Sequence, residues 1–309
     1  MDEDEIQMDD NSIALEDTEE SNIDDVNVSS IIPFVTGRYK KSEDYRKNDE
    51  ERWIRAYRNY RGLYGSDVQF TEAEKSRVFI KVTKTKTLAS YGQIVDVLFA
   101  GNRFPISVEP TELPEGVVAD VIAAKKMQKK IMDQLEESGA TKHLRSTAFE
   151  MSLFGTGVMK GPFAIDKEYP NWDDEGEYSP VFKTVPQVSH VSVWNFYPDP
   201  DASNMDEAQY VIERHKMSRS QLRALKKRPF FRDNVIDEVI QAGENYVQKY
   251  WEDDLSDYSP ENSIDRFEVL EYWGMCDVEM LLEYNIEIPK EVRDQDELQA
   301  NIWICNGKL

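Results

Sequence analysis

Apolar and polar residues repeat along this chain with two different periods, and the change between them falls near Gly155-Thr156-Gly157. Before that point the pattern is helical. Over 42–64, Trp53, Tyr57, Tyr60 and Tyr64 recur at spacings of four, three and four, with Ile54, Ala56 and Leu63 beside them. Ser42 is placed to cap this helix, with Glu43 and Asp44 in its first turn, and Gly62 and Gly65 loosen and end it. A second helix is predicted over 79–99 from Val82, Leu88, Tyr91, Val95, Leu98 and Phe99, stopped by Gly101-Asn102. A short strand over 104–108 follows, and Pro105 puts it at an edge or a strand start. A loop marked by Pro110 and Pro114-Glu115-Gly116 leads to helices over 117–137 and 141–154.

Beyond the Gly-Thr-Gly turn the period falls toward two. Strands are predicted at 158–160, 181–185, 188–193 and 210–215, then at 267–275 and 301–305. Ser218 caps a short helix over 219–227, and 231–242 forms another. Helix-rich followed by strand-rich order predicts an α+β fold rather than alternating βαβ units. Asn306-Gly307 after an alternating strand signals a hairpin whose return strand has only two residues here. The natural protein is therefore expected to continue past Leu309.

Charge changes the picture more than composition does. The 309 residues are 40% hydrophobic and 31% charged, with a net charge of -23. Residues 1–37 hold twelve Asp and Glu and no Lys or Arg, so the other 272 residues carry -11. Such a body does not grip nucleic acid by neutralising phosphates, although it can surround DNA without holding it. The chain divides accordingly into an acidic tail, 1–37, and one body, 38–309. Within the tail, 1–30 has no consistent apolar period and is predicted to be disordered, as a plain solvating segment or as a docking tail for a basic partner or a scaffold. The apolar stretch 31–35 is positioned to anchor it. No apolar run approaches the ~20 residues a membrane span needs, and no signal peptide is recognisable. Cys276 and Cys305 form no disulfide framework or zinc pattern and read as packed thiols.

Motifs that carry chemistry are missing. Gly155-Thr156-Gly157 lacks the Gly-Lys-Ser/Thr continuation of a phosphate loop, and no Gly-x-Ser-x-Gly elbow occurs. His143, His190 and His215 have no Cys, Asp or Glu at a recognisable metal spacing and read as structural. The run Asp199-Pro200-Asp201-Ala202-Ser203-Asn204-Met205-Asp206 offers alternating oxygens but lacks the central Gly and final Glu of a calcium loop, so it reads as a turn. The 172–177 loop is similar and less specific. No residue is assigned a catalytic, cofactor-binding or metal-ligating role, and no cofactor is implied. Candidate partner contacts are Arg52, Arg55 and Arg58, which recur every third residue beside the aromatic stripe. Lys81, Lys84 and Lys86 join them, lying toward the helix end that disfavours cations and so expected to face an acidic neighbour.

The stretch His190-Val191-Ser192-Val193-Trp194-Asn195-Phe196-Tyr197-Pro198-Asp199-Pro200-Asp201-Ala202 resembles a segment of portal proteins from short-tailed bacteriophages. Its continuation, Asp206-Glu207-Ala208, a strand from Tyr210 and the Ser218-capped helix, is similar too. Further likeness lies in Asn102-Arg103-Phe104-Pro105-Ile106-Ser107-Val108, in Leu153-Phe154-Gly155-Thr156-Gly157-Val158 and in Arg266-Phe267-Glu268-Val269-Leu270-Glu271-Tyr272-Trp273. Together these cover roughly 42–309. The resemblance implies a non-enzymatic subunit of a ring, a dodecamer, at one capsid vertex of the virion, assembled in the host cytoplasm. Double-stranded DNA passes through such a ring without sequence specificity during packaging and ejection. The implied partners are the terminase large subunit, the major capsid and scaffold proteins and head–tail adaptors. The chain would supply mainly the wing, before most of the stem, clip and crown. Rival readings are another virion adaptor, a metal-dependent DNA-processing enzyme and a bacterial structural interaction module.

Overall fold

The computed structural model describes residues 31–64, 78–99, 104, 106–110, 121–173, 176–228, 230–255, 266–283, 286 and 288–307. The leader 1–30, Gly65, Gly101-Asn102, Pro105, the 114–116 loop, the first residues of the 117–137 helix and Lys308-Leu309 lie outside them.

Five helices come first: α1 (Ile31–Tyr45), α2 (Lys47–Arg61), α3 (Val82–Phe99), α4 (Val121–Glu137) and α5 (Ala140–Phe154). A hairpin of β1 (Val158–Tyr169) and β2 (Val181–Val191) follows. β3 (Phe196–Pro198), β4 (Tyr210–Ser218), β5 (Arg266–Asp277) and β6 (Glu297–Cys305) then pair in chain order as an antiparallel sheet. The fold is α+β, as the change of period predicts.

Two expectations are corrected. The helix predicted to start at Ser42 starts at Ile31, so the body begins ahead of residue 38. Ile31, Val35 and Tyr39, spaced by four, bury one stripe of α1 on the sheet, which is how 31–35 anchors the chain. Ser42 continues that stripe as an interior residue, its Oγ donating to the Arg38 carbonyl at 3.1 Å. Pro33 is tolerated because first-turn N–H groups have no helical acceptor to lose. Only Arg46 separates α1 from α2. Second, Phe104 and 106–110 form no strand. Phe104 instead buries against the Phe99 ring, with centroids 6.0 Å apart, and pairs with no strand edge.

The two faces of the sheet follow the period of two. Tyr210, Ile212, Leu270, Tyr272, Ile302 and Ile304 form one face, beneath α1 and α8 (Val278–Glu283). Arg214 shares this face. It is 2% exposed, with its guanidinium donating to Glu268, to Glu252 at 3.1 Å and to the Val247 carbonyl at 2.8 Å, and stacked over Tyr246. On the other face, α6 (Arg219–Leu225) and α7 (Asp233–Ala242) cover Phe267, Val269 and Cys305. Burial raises the thiols of Cys276 to about 11 and of Cys305 to about 12, which keeps both protonated and unreactive near neutral pH.

Trp194, in the 3-10 turn Val193–Asn195, joins the two halves of the chain. Its ring lies 5.4 Å from Trp53 of α2, 5.5 Å from Phe154 of α5 and 4.9 Å from Trp251. Its carbonyl accepts from Arg46 at 2.9 Å. At the end of the sheet Asn306 and Gly307 both have positive φ, 55° and 67°, as the predicted Asn-Gly turn requires.

Ser218 caps α6 as predicted, through a reciprocal box with Gln221. Ser218→Ala is expected to cost about 1 kcal/mol, seen as a lower urea midpoint with unchanged slope.

Candidate functional site

Strand register brings four ionisable groups together on the sheet face left open beside α6 and α7. Glu213 of β4 stands directly opposite Glu271 of β5, a pairing of like charges that costs energy unless a cation answers it. Lys160, from β1, supplies that cation: its Nζ lies 3.0 Å from Glu213 and 2.6 Å from Glu271. His215, two residues along β4 on the same face, sets Nε2 2.7 Å from the same Glu271 oxygen. The other oxygen of Glu271 accepts from Trp273 Nε1 at 2.7 Å and Asn301 Nδ2 at 3.2 Å. The His215 ring stacks parallel on Trp303, so both side chains are held in place.

Glu271 is 2% exposed. Burial alone would raise its pKa, but His215 and Lys160 outweigh it and hold the carboxyl down at about 2. The ligand atoms of Glu213, His215 and Glu271 lie within 4.8 Å of one another, a spacing that suits a metal ion in principle. Here the Lys160 ammonium sits between the carboxylates and answers their charge. What the arrangement does chemically is tie the hairpin to the sheet. A cleft of about 590 Å³ opens beside this tie, lined by Gly157, Pro162, Phe163, Phe196, Val211 and Trp273. No spacing in the sequence marks this cluster, because only the register of strands 58 residues apart assembles it.

The predicted contact residues do not form one patch. Arg52 is exposed and pairs with Asp49 of its own helix at 2.9 Å. Arg55 is exposed and has no ion-pair partner among the described residues. Arg58 turns inward instead and makes a bidentate pair with Asp254, at 2.8 and 2.9 Å from its two oxygens. Lys81 lies outside with its stem over Gly62, and the Lys84 ammonium is 5.9 Å from the Tyr60 ring centre. Val82, Leu88 and Val97 of α3 are exposed. On α4, Val121 and Met127 are exposed, as are four lysines: Lys125, Lys126, Lys129 and Lys130. The hairpin also exposes Trp172, Tyr178, Val181 and Phe182.

The Asp199 run is a turn, as predicted. The Asp199 carboxylate accepts from the Asp201 N–H at 3.1 Å and the Gln209 N–H at 3.2 Å, and Asp201 pairs with Lys41 at 2.5 Å. In the 172–177 loop the Asp173 carboxylate likewise accepts from the Glu177 N–H at 2.9 Å. His143 Nδ1 accepts from the His190 N–H at 3.2 Å, and the His190 ring sits 3.1 Å from Glu150. No helix among the described residues is long and apolar enough to cross a membrane. No protein-family model matches the chain, and a search of curated proteins finds no significant match.

Proposed function

We propose that this chain is the wing part of a tailed-phage portal subunit, a structural component of the ring through which DNA enters and leaves the capsid. The observation that carries the reading is the α2–α3 surface, where Val82, Leu88 and Val97 are exposed together with Arg55, Lys81 and Lys84 on a body of opposite net charge. Apolar surface of this extent asks for a protein neighbour, and a basic strip on an acidic chain is complementary to other copies of that chain. A head-to-tail contact of this kind closes into a ring when its rotation closes. The residue pattern from His190 to Leu222, which resembles the portal family, supports the same reading. So does the charge, since an acidic wall lets DNA slide rather than stick. In this reading the terminase large subunit, the capsid and scaffold proteins and head–tail adaptors dock on the assembled ring.

Negative-stain microscopy and sedimentation test it. Wild-type protein is expected to form rings with a central channel. Arg55→Glu combined with Lys81→Glu and Lys84→Glu should weaken assembly about tenfold or more, with the circular dichroism spectrum retained. Arg58 is left in place because its partner, Asp254, lies within the chain. Protein that stays monomeric at all accessible concentrations would sink the proposal.

A further inference from the structure

We propose that the lysine face of α4 is the docking surface for the acidic leader of the same chain, residues 1–30. The inference does not rest on the portal reading and holds for any assembly the chain enters.

The face is built by the way α4 packs. Ala124 is buried and Gln128, Ile131, Met132 and Leu135 are half-buried, along one side of the helix. The opposite side therefore carries Lys125, Lys126, Lys129 and Lys130 together. Lys125 with Lys129, and Lys126 with Lys130, are like-charge pairs one turn apart, and each pair repels. None of the four has an ion-pair partner among the described residues, whereas Lys41, Lys47, Lys160, Lys183, Lys226 and Lys249 each have at least one. Exposed Met127, one turn from Lys130, adds an apolar side chain at the edge of this face.

The leader has the complementary chemistry. It holds twelve carboxylates, no basic residue and a few single apolar side chains, among them Ile6, Ile13 and Leu15. It joins the body at Ile31, which is fully buried and so fixes where the tether starts. Thirty residues reach up to about 100 Å when extended, more than enough to arrive at any face of a body this size. Covalent attachment also gives the leader a high local concentration that a free polyanion lacks. Nucleic acid is the weaker candidate, because the body's charge of -11 opposes any polyanion and only the leader has a covalent tether to offset that repulsion.

Carbodiimide cross-linking of the full chain, mapped by mass spectrometry, tests the docking. Leader carboxylates are expected to join Lys125, Lys126, Lys129 and Lys130 about fivefold more often than exposed Lys40, Lys86 and Lys227, with the excess lost near 0.5 M salt. Equal cross-linking to all exposed lysines would overturn the proposal. So would cross-links found only between copies in a mixture of isotopically light and heavy chains, or retention of a labelled DNA duplex by α4 with no leader cross-links. As a second measurement, the variant with Lys125, Lys126, Lys129 and Lys130 all changed to Gln keeps helix propensity. It should expose the leader to Glu-specific proteolysis about fivefold faster at low salt. An unchanged rate in a variant with wild-type circular dichroism counts against docking.

Discussion

Arg214→Met is expected to lower the unfolding free energy by about 3–5 kcal/mol, read from urea titrations followed by tryptophan fluorescence. Methionine keeps the length and the contact with the Tyr246 ring but removes the charge that Glu268 and Glu252 share, and leaves the Val247 carbonyl without its donor. Burial works against a charged guanidinium here, yet Glu268 more than compensates and raises the Arg214 pKa further. The cost arises from stranded carboxylates, so adding Glu252→Gln and Glu268→Gln should recover part of it. A loss under about 1 kcal/mol in the single variant would show that water reaches and solvates those carboxylates.

Acid should unfold the protein partly through Glu271. Its folded pKa of about 2 lies below the ordinary 4.5, so the ionised form is stabilised by folding. That contribution is present above about pH 4.5 and is lost as pH falls toward 2, and it amounts to about 3 kcal/mol. Glu271→Gln removes it, along with the charge that holds Lys160. The difference in stability between wild type and variant should therefore be large at neutral pH and shrink steadily toward pH 2. A difference that stays flat across this range would mean that Lys160 and His215 do not act on Glu271 as their positions require.

What could be read in the sequence was local. The alternation in β4 and β5, the Ser218 cap and the Asn306-Gly307 turn all depend on neighbours within a few residues, and they stand where the pattern puts them. The first half of α1 was not legible. Its stripe of Ile31, Val35 and Tyr39 is short and interrupted by Pro33, and becomes a helix face only because a sheet formed some 170 residues later covers it. The supposed strand at 104–108 failed for the converse reason, since its apolar residues find a ring rather than an edge.

The same limit governs the site. Among 60 acidic residues nothing distinguishes Glu271 until register sets it opposite Glu213 and under Lys160. Arg58 looked like its neighbours at spacings of three, and only tertiary structure shows that it alone turns toward Asp254. The α4 lysines were visible as residues, but their shared direction depends on which side of the helix packs.

Trp194 also determines how this chain can be divided for experiment. A cut at Gly155 looks natural, since helices end there and strands begin. It would strip the Trp194 ring from Trp53 and Phe154 on one fragment and leave Trp194 and Trp251 bare on the other. Each piece would carry an aromatic wall shaped for its missing half. Expressed separately, such pieces are suited to complementing each other when mixed, and to precipitating when alone.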